Sequence, residues 1–313
     1  MEVAVNQLKD ISLHDQWDLS SIIGVQKVND LSNESFYRDF VNPGRPVIIK
    51  ELMNEWRALH EWDEDYFNSI PGNVKISAKV GDVSLGELKS YLIGDYVKML
   101  CAHEADINDG LMPANPPYLH DVPLFHLIPA LRKDIEPFPL HLFPKWYWTN
   151  FHNYIQFFMG YTGSLTPLHF DTLCTHNLFF QVAGRKRFIL IEPRAKDLCY
   201  LEGWRWARFN PSAPDFNKFP KAVDIKPMIA ELGPGDTLYI PPGMLHQVHG
   251  LSYSISFNID WHTRKSAFSG ILSLLKGAPA MNGFYNSLIF SGLLGIPSKY
   301  IFPYYKSYLN YVS

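Results

Sequence analysis

Apolar and polar residues follow three textures along the chain. Over the first 140 residues helical and extended spacings are mixed. Ser32-Asn33-Glu34 opens a segment with Phe36, Phe40 and Val41 at helical spacing, and Pro46-Val47-Ile48-Ile49 reads as a strand. Ser84, followed three positions later by Glu87, has the form of a capping box, and Leu85, Leu88 and Leu92 predict one apolar helix face behind it. Eight prolines from Pro113 to Pro144 predict loops and short helices over 101–144, because proline interrupts helix and ladder bonding alike. From Trp146 to about His262 the apolar runs become short and β-rich, at 154–159, 177–182, 187–191, 237–240 and 253–259, with Gly and Pro between them. Gly184-Arg185 is placed to turn a hairpin. Short antiparallel strands at such intervals predict a barrel or jelly roll. The last fifty residues return to helical texture, with Ile271, Leu272, Leu274 and Leu275 followed by 288–294.

Composition narrows the class. The chain has 313 residues, 47 % hydrophobic, 15 % aromatic and 19 % charged, so it can bury a large aromatic core and is not a disordered polymer. The length alone would allow two domains. A net charge of −3 provides no global field to attract phosphates, which argues against nucleic acid as a partner. Three cysteines without a CxxC pattern fit a reducing, cytoplasmic setting. Residues 1–25 carry Glu2, Lys9, Asp10 and Asp15 and are expected not to act as a secretory leader. The uncharged stretch 277–298 is long enough to cross a bilayer. However, Pro279, Asn282, Gly283, Asn286, Gly292, Gly295 and Pro297 interrupt it, so helices that bury an apolar face in the core or in a partner subunit are expected. Glu104-x-Asp106-x-Asn108 opens like a calcium loop, but Gly110 comes one place late and Asn115 stands where a glutamate should close it.

Candidate chemistry lies in the β-rich region. On a strand, residues two apart share a face, so His169 and Asp171 can meet one metal ion. With 12 histidines and 31 acidic residues in the chain, about one such pair is expected by chance, and the pair alone means little. Context adds to it. The pair ends the run Gly163-Ser164-Leu165-Thr166-Pro167-Leu168-His169-Phe170-Asp171. His246 ends a second run, Gly235-Asp236-Thr237-Leu238-Tyr239-Ile240-Pro241-Pro242-Gly243-Met244-Leu245-His246. Two histidines and one carboxylate on one side of a barrel form the facial set typical of non-haem Fe(II) oxygenases, whereas a closed zinc site needs a fourth ligand, usually cysteine.

With these blocks in view, the sequence resembles the Jumonji-C, or cupin-like, Fe(II)- and 2-oxoglutarate-dependent oxygenases, and looks most like the branch of the hypoxia-inducible-factor asparaginyl hydroxylase. The resemblance covers most of the chain: Arg45-Pro46-Val47-Ile48-Ile49-Lys50 with Trp56 and Trp62, then Tyr118-Leu119-His120-Asp121-Val122-Pro123-Leu124 and Pro129-Ala130-Leu131-Arg132-Lys133-Asp134, then the metal blocks. One departure is Leu245, where the family often has Trp or Tyr. The resemblance implies a mainly β fold: a double-stranded β-helix (jelly-roll, cupin) core at about 146–262, wrapped by N-terminal α/β elements 1–145 into one catalytic unit 1–262. A C-terminal helical pair, 263–313, is implied as a dimerisation segment.

It also implies a cosubstrate pocket. Lys186 stands at the family's carboxylate-binding lysine, Thr166 and Tyr118 at its hydroxyl donors, and Asn177 and Asn258 at its pocket amides. Alternation agrees, turning Lys186, Phe188 and Leu190 inward and Arg185 and Arg187 outward. His249, three residues from His246, should point elsewhere, and His176 reads as a pocket wall or satisfied core group. Cys174 lacks an activating base. The implied reaction takes Fe(II), 2-oxoglutarate and O₂, hydroxylates a peptide or protein side chain, and releases succinate and CO₂. Alternatives are a small-molecule hydroxylase on the same scaffold, an N-methyl-lysine demethylase and a non-catalytic binding module. A homodimer through the C-terminal helices, with no nucleic acid or membrane partner, completes the expectation.

Overall fold

The computed structural model describes residues 17, 22–72 and 74–308. Most of the stretch 1–25 weighed above as a leader, and the last five residues of the C-terminal segment, lie outside the described residues.

Eight strands form the centre: β1 (Ile155–Gly160), β2 (Leu165–His169), β3 (His176–Ala183), β4 (Lys186–Ile191), β5 (Met228–Leu232), β6 (Thr237–Ile240), β7 (Leu245–Gly250) and β8 (Ser254–Trp261). They form two antiparallel sheets, ordered β5-β4-β7-β2 and β6-β3-β8-β1. This is the expected double-stranded β-helix. Flanking pieces extend each sheet to seven strands, among them Ile23–Gly24 beside β5, Trp206–Ala207 beside β2, Val47–Ile49 beside β6 and Leu119–Val122 beside β1.

Alternation along β8 shows how the sequence divides the interior. Ser256, Asn258 and Asp260 face the space between the sheets, while Ile255, Phe257, Ile259 and Trp261 face outward. The outward face is not solvated. The Phe257 ring packs against Trp56, Trp62 and Phe125 from the N-terminal region, at centroid distances of 5.7, 6.4 and 5.3 Å. Every residue of β8 is therefore buried. The aromatic excess fills this outer layer, and the polar residues are left to line the inner one.

Several expectations need correction. Gly184-Arg185 does not turn a hairpin, since β3 and β4 lie in different sheets and Gly184 carries the chain between them at φ +68°. A Cβ on Gly184 would come within 1.8 Å of the Tyr253 carbonyl oxygen, so only glycine fits this crossover. The Ser84–Glu87 capping box does not form either. Asp82 accepts from the Ser84 N–H at 2.8 Å, a single turn Val83–Leu85 ends at Gly86 with φ +70°, and Leu88–Leu92 is a strand paired with Lys75–Lys79. Leu88, Ser90 and Leu92 satisfy a two-residue period as well as a helical one, and pairing decides between them. Helix α1 (Ile93–Asn108) then runs through Cys101 and absorbs Glu104, Asp106 and Asn108, so the first part of the proline-rich region is regular. The C-terminal pair is three helices, α2 (Arg264–Leu272), α3 (Ala280–Leu293) and α4 (Ser298–Tyr305). Among the described residues no helix is long and apolar enough to cross a membrane.

Candidate functional site

β2 and β7 are neighbours, and His169 and His246 are register partners across them, with ring centroids 4.3 Å apart. Asp171 reaches the same place by a different route from the one expected. β2 ends at His169, and Asp171 sits in the following turn, where its carbonyl accepts from the Cys174 N–H at 2.9 Å. One donor atom from each of His169, Asp171 and His246 lies within 4.8 Å of the others.

Both imidazoles are tied at Nδ1. His169 Nδ1–H donates to the Pro167 carbonyl at 2.8 Å, and His246 Nδ1–H to the Met244 carbonyl at 3.1 Å. Each Nε2 is thereby left as a lone pair, the tautomer a metal ion requires. Burial, with His246 and Arg205 nearby, pushes the His169 pKa well below its ordinary value and keeps that ring neutral. Asn177 Nδ2 donates to Asp171 Oδ2 at 3.4 Å, and the Trp206 ring lies 4.8 Å from that of His169. This donor set fits a divalent first-row metal with coordination places to spare. His249 is directed to Gln247 Oε1 at 3.2 Å, and His176 is hydrogen-bonded to the Tyr239 hydroxyl and stacked on Trp261. Burial raises the Cys174 thiol to about 11, which leaves it inert.

The three residues open onto a cavity between the sheets, which Tyr118, Thr166, Asn177, Lys186 and Asn258 also line. Thr166 and His169 are three apart, a spacing that normally sends strand side chains to opposite faces. A register shift between β2 and β7, where His246 pairs with His169 but Val248 with Thr166, places one extra β2 residue at Pro167-Leu168 and turns both inward. Lys186 is 1 % exposed. Its Nζ donates to the Tyr118 hydroxyl and to Ser256 Oγ, both at 2.9 Å, and the Phe158 and Phe179 rings lie 5.2 Å away. Burial lowers its pKa to about 7. Asn258 Nδ2 donates to Asp260 Oδ1 at 3.1 Å, while Asn177 Oδ1 and Asn258 Oδ1 have no hydrogen-bond partner among the described residues.

Other cavity residues escaped the sequence reading. Ser256 and Asp260 follow from Asn258 by strand alternation, a signal that was present and unused. Burial, with Asp171 and Asp121 nearby, raises the Asp260 pKa well above its usual range. His120 and Asp121 stood inside a quoted block but had no assigned role. Arg205 and Trp206 come from the long β4–β5 connection, where no periodicity points at them; Trp206 is the register partner of His169.

A family model described as a cupin-like domain matches residues 33–267. Lysine-specific demethylase JMJ30 of Arabidopsis thaliana is 31 % identical over 78 % of this chain and 56 % of its own. Jumonji C domain-containing protein 5 of Drosophila melanogaster is 27 % identical over 83 % and 65 % respectively. The human bifunctional peptidase and (3S)-lysyl hydroxylase JMJD7 is 23 % identical over 78 % and 86 %. The chain thus spans about half to two-thirds of the first two relatives. With a matched domain covering most of its length, two facing four-stranded sheets, and two histidines and an aspartate grouped between them, the chain belongs to the cupin-like JmjC oxygenase family.

Proposed function

We propose that the protein is an Fe(II)- and 2-oxoglutarate-dependent dioxygenase that hydroxylates a side chain of a peptide or protein, with release of succinate and CO₂. One observation carries this reading: an open set of two imidazoles and a carboxylate shares a cavity with Lys186, a buried amine whose hydrogen-bond partners are both hydroxyls. A buried ammonium calls for an anion. The far carboxylate of 2-oxoglutarate answers it, leaving the 2-oxo acid end to face the metal ligands. When bound, iron and cosubstrate supply the oxidising power for C–H hydroxylation with O₂. The chain's own work is positioning. His169, Asp171 and His246 would hold the metal, Lys186 with Tyr118 and Thr166 the carboxylate, and the Asn177 and Asn258 amides the remaining polar edge. The two sheets keep bulk water away from the reacting carbon.

Relatives named as lysine-specific demethylases and as a lysyl hydroxylase favour a peptide or protein substrate, and the two names describe one chemistry. Hydroxylating an N-methyl carbon leads to loss of the methyl group, whereas hydroxylating a chain carbon retains the oxygen. An open groove lined by Trp204, Trp206, Lys79 and Leu85 meets the cavity at Arg205 and offers a path for an extended substrate. The C-terminal helices expose Phe268, Leu275, Phe284, Leu294 and Tyr304, a set that suits a second copy of the chain. The test is direct. Adding Fe(II) and 2-oxoglutarate without oxygen should produce a metal-to-ligand charge-transfer band. Succinate formation is then screened against peptide and metabolite pools, with mass spectrometry for one added oxygen. Absence of the band overturns the oxygenase reading, and turnover of metabolites alone transfers it to a small-molecule hydroxylase.

A further inference from the structure

Beside Lys186, hydrogen bonds lead from Thr166 in the cavity to a carboxylate outside the metal site. Lys186 Nζ donates to the Tyr118 hydroxyl at 2.9 Å, and Thr166, which lines the same cavity, has its Oγ1 3.1 Å from His120 Nε2. His120 Nδ1 lies 2.8 Å from Asp121 Oδ2, and Lys79 Nζ 3.7 Å from that same oxygen. All six residues are buried, and Asp121 is held at φ +60° to make the contact.

The direction of each bond follows from what each group can give. Although burial opposes its charge, His120 and Lys79 hold the Asp121 carboxyl well below its usual range, so it only accepts and His120 Nδ1 carries a proton. Lys79 Nζ also approaches that nitrogen, at 3.4 Å, but the shorter contact with the carboxylate decides the tautomer. Burial lowers the His120 pKa to about 4 and keeps its ring neutral, so Nε2 accepts the Thr166 hydroxyl proton. Tyr118 accepts from Lys186. The Thr166 hydroxyl thus directs its single proton to His120 and has none for an anion in the cavity.

We propose that His120, oriented by Asp121, is a positioning residue that reverses its bond with Thr166 when the cosubstrate's carboxylate enters. A proton from solvent adds to His120 Nε2 and the imidazolium donates to Thr166. The Thr166 hydroxyl then turns to donate to the carboxylate. The N–H bond at Nε2 is the one bond formed, and ionised Asp121 balances the new charge. Around His120, Asp121 favours the uptake, while Lys79 on the strand Lys75–Lys79 and Lys186 on β4 oppose it; His169 on β2 and Arg205, which faces Asp121, oppose it as well. An added anion tips that balance. The inference rests on the cavity being a 2-oxoglutarate site.

Calorimetric titration of 2-oxoglutarate into the anaerobic Fe(II)-loaded protein, in buffers of different ionisation enthalpy at about pH 6, reads the protons taken up. At that pH Lys186 is already ammonium, so uptake reports His120. Wild type should take up about one proton per 2-oxoglutarate, and affinity should fall about tenfold per pH unit between the free-state pKa of about 4 and the higher bound-state pKa. His120→Gln should still bind, with uptake near zero. Asp121→Asn, which removes the carboxylate that favours the uptake and leaves the Thr166, Tyr118 and Lys186 side chains unchanged, should give the same loss and covers a failure of the first variant to fold. Binding with equal uptake in wild type and either variant overturns the inference but leaves the cosubstrate site intact. No binding in wild type overturns the site itself.

Discussion

Replacing Lys186 by methionine should stabilise the protein while abolishing cosubstrate binding. Burial lowers the Lys186 pKa from 10.5 to about 7. Each factor of ten in proton affinity is about 1.4 kcal/mol, so holding the ammonium in the empty cavity costs about 5 kcal/mol. Methionine removes that cost but leaves Tyr118 and Ser256 without a donor, at about 1–2 kcal/mol each. The balance is a gain of about 2 kcal/mol at pH 7. Its pH dependence has a definite sign. Unfolded lysine keeps its proton up to about pH 10.5 and folded Lys186 only up to about 7, so between these values the unfolded chain binds more protons and wild type gains about 1.4 kcal/mol per pH unit. Because folded Lys186 is half protonated at pH 7, the advantage of Lys186→Met should shrink by about 2 kcal/mol from pH 7 to pH 9. Urea unfolding of both proteins at pH 6, 7, 8 and 9, without 2-oxoglutarate, measures it. A stability difference that does not change with pH would refute the reasoning, as would 2-oxoglutarate binding that survives the substitution. A stabilising change at a residue reserved for a ligand is the trade-off expected of a site kept ready at the expense of the fold.

Other outcomes follow from the same geometry. Fe(II) at 100 times its Kd should raise wild-type stability by about 2.7 kcal/mol, seen as an anaerobic Tm shift that EDTA removes; Asp171→Ala and His169→Ala should show no such shift, and its persistence in either would remove that residue from the ligand set. Gly184→Ala should cost about 3 kcal/mol or more in urea unfolding, because its Cβ meets the Tyr253 carbonyl at positive φ, and a loss under about 1 kcal/mol would show that the crossover can relax. Leu275, 87 % exposed, should become a charge at a subunit contact in Leu275→Glu, so light scattering should find wild type dimeric and the variant monomeric; a monomeric wild type would end the dimer proposal.

Much of the candidate site is legible in the sequence itself, for identifiable reasons. Thr166, His169 and Asp171 lie within six residues of one another, His246 ends a turn-rich block, and Lys186 stands in a strand whose alternation directs it inward. All eight residues singled out, the amides included, line one cavity. What local pattern could not supply was pairing. Leu88–Leu92 fits a helix until Lys75–Lys79 lies beside it, and Gly184 resembles a hairpin turn until β3 and β4 are assigned to different sheets.

By itself, then, the sequence determined which residues alternate, where glycine and proline must break the chain, and which side chains can bind a metal or an anion, because these depend on neighbours a few positions away. Only the tertiary structure decided how those side chains meet. The bulge opposite Gln247 brings Thr166 and His169 to one face, and Arg205 and Trp206 arrive from a connection without periodicity. His120 takes its tautomer from Asp121 and its partner from Thr166, 46 positions along the chain. Hydrogen-bond direction, burial and proton affinity are properties of the packed cavity, and no local spacing contains them.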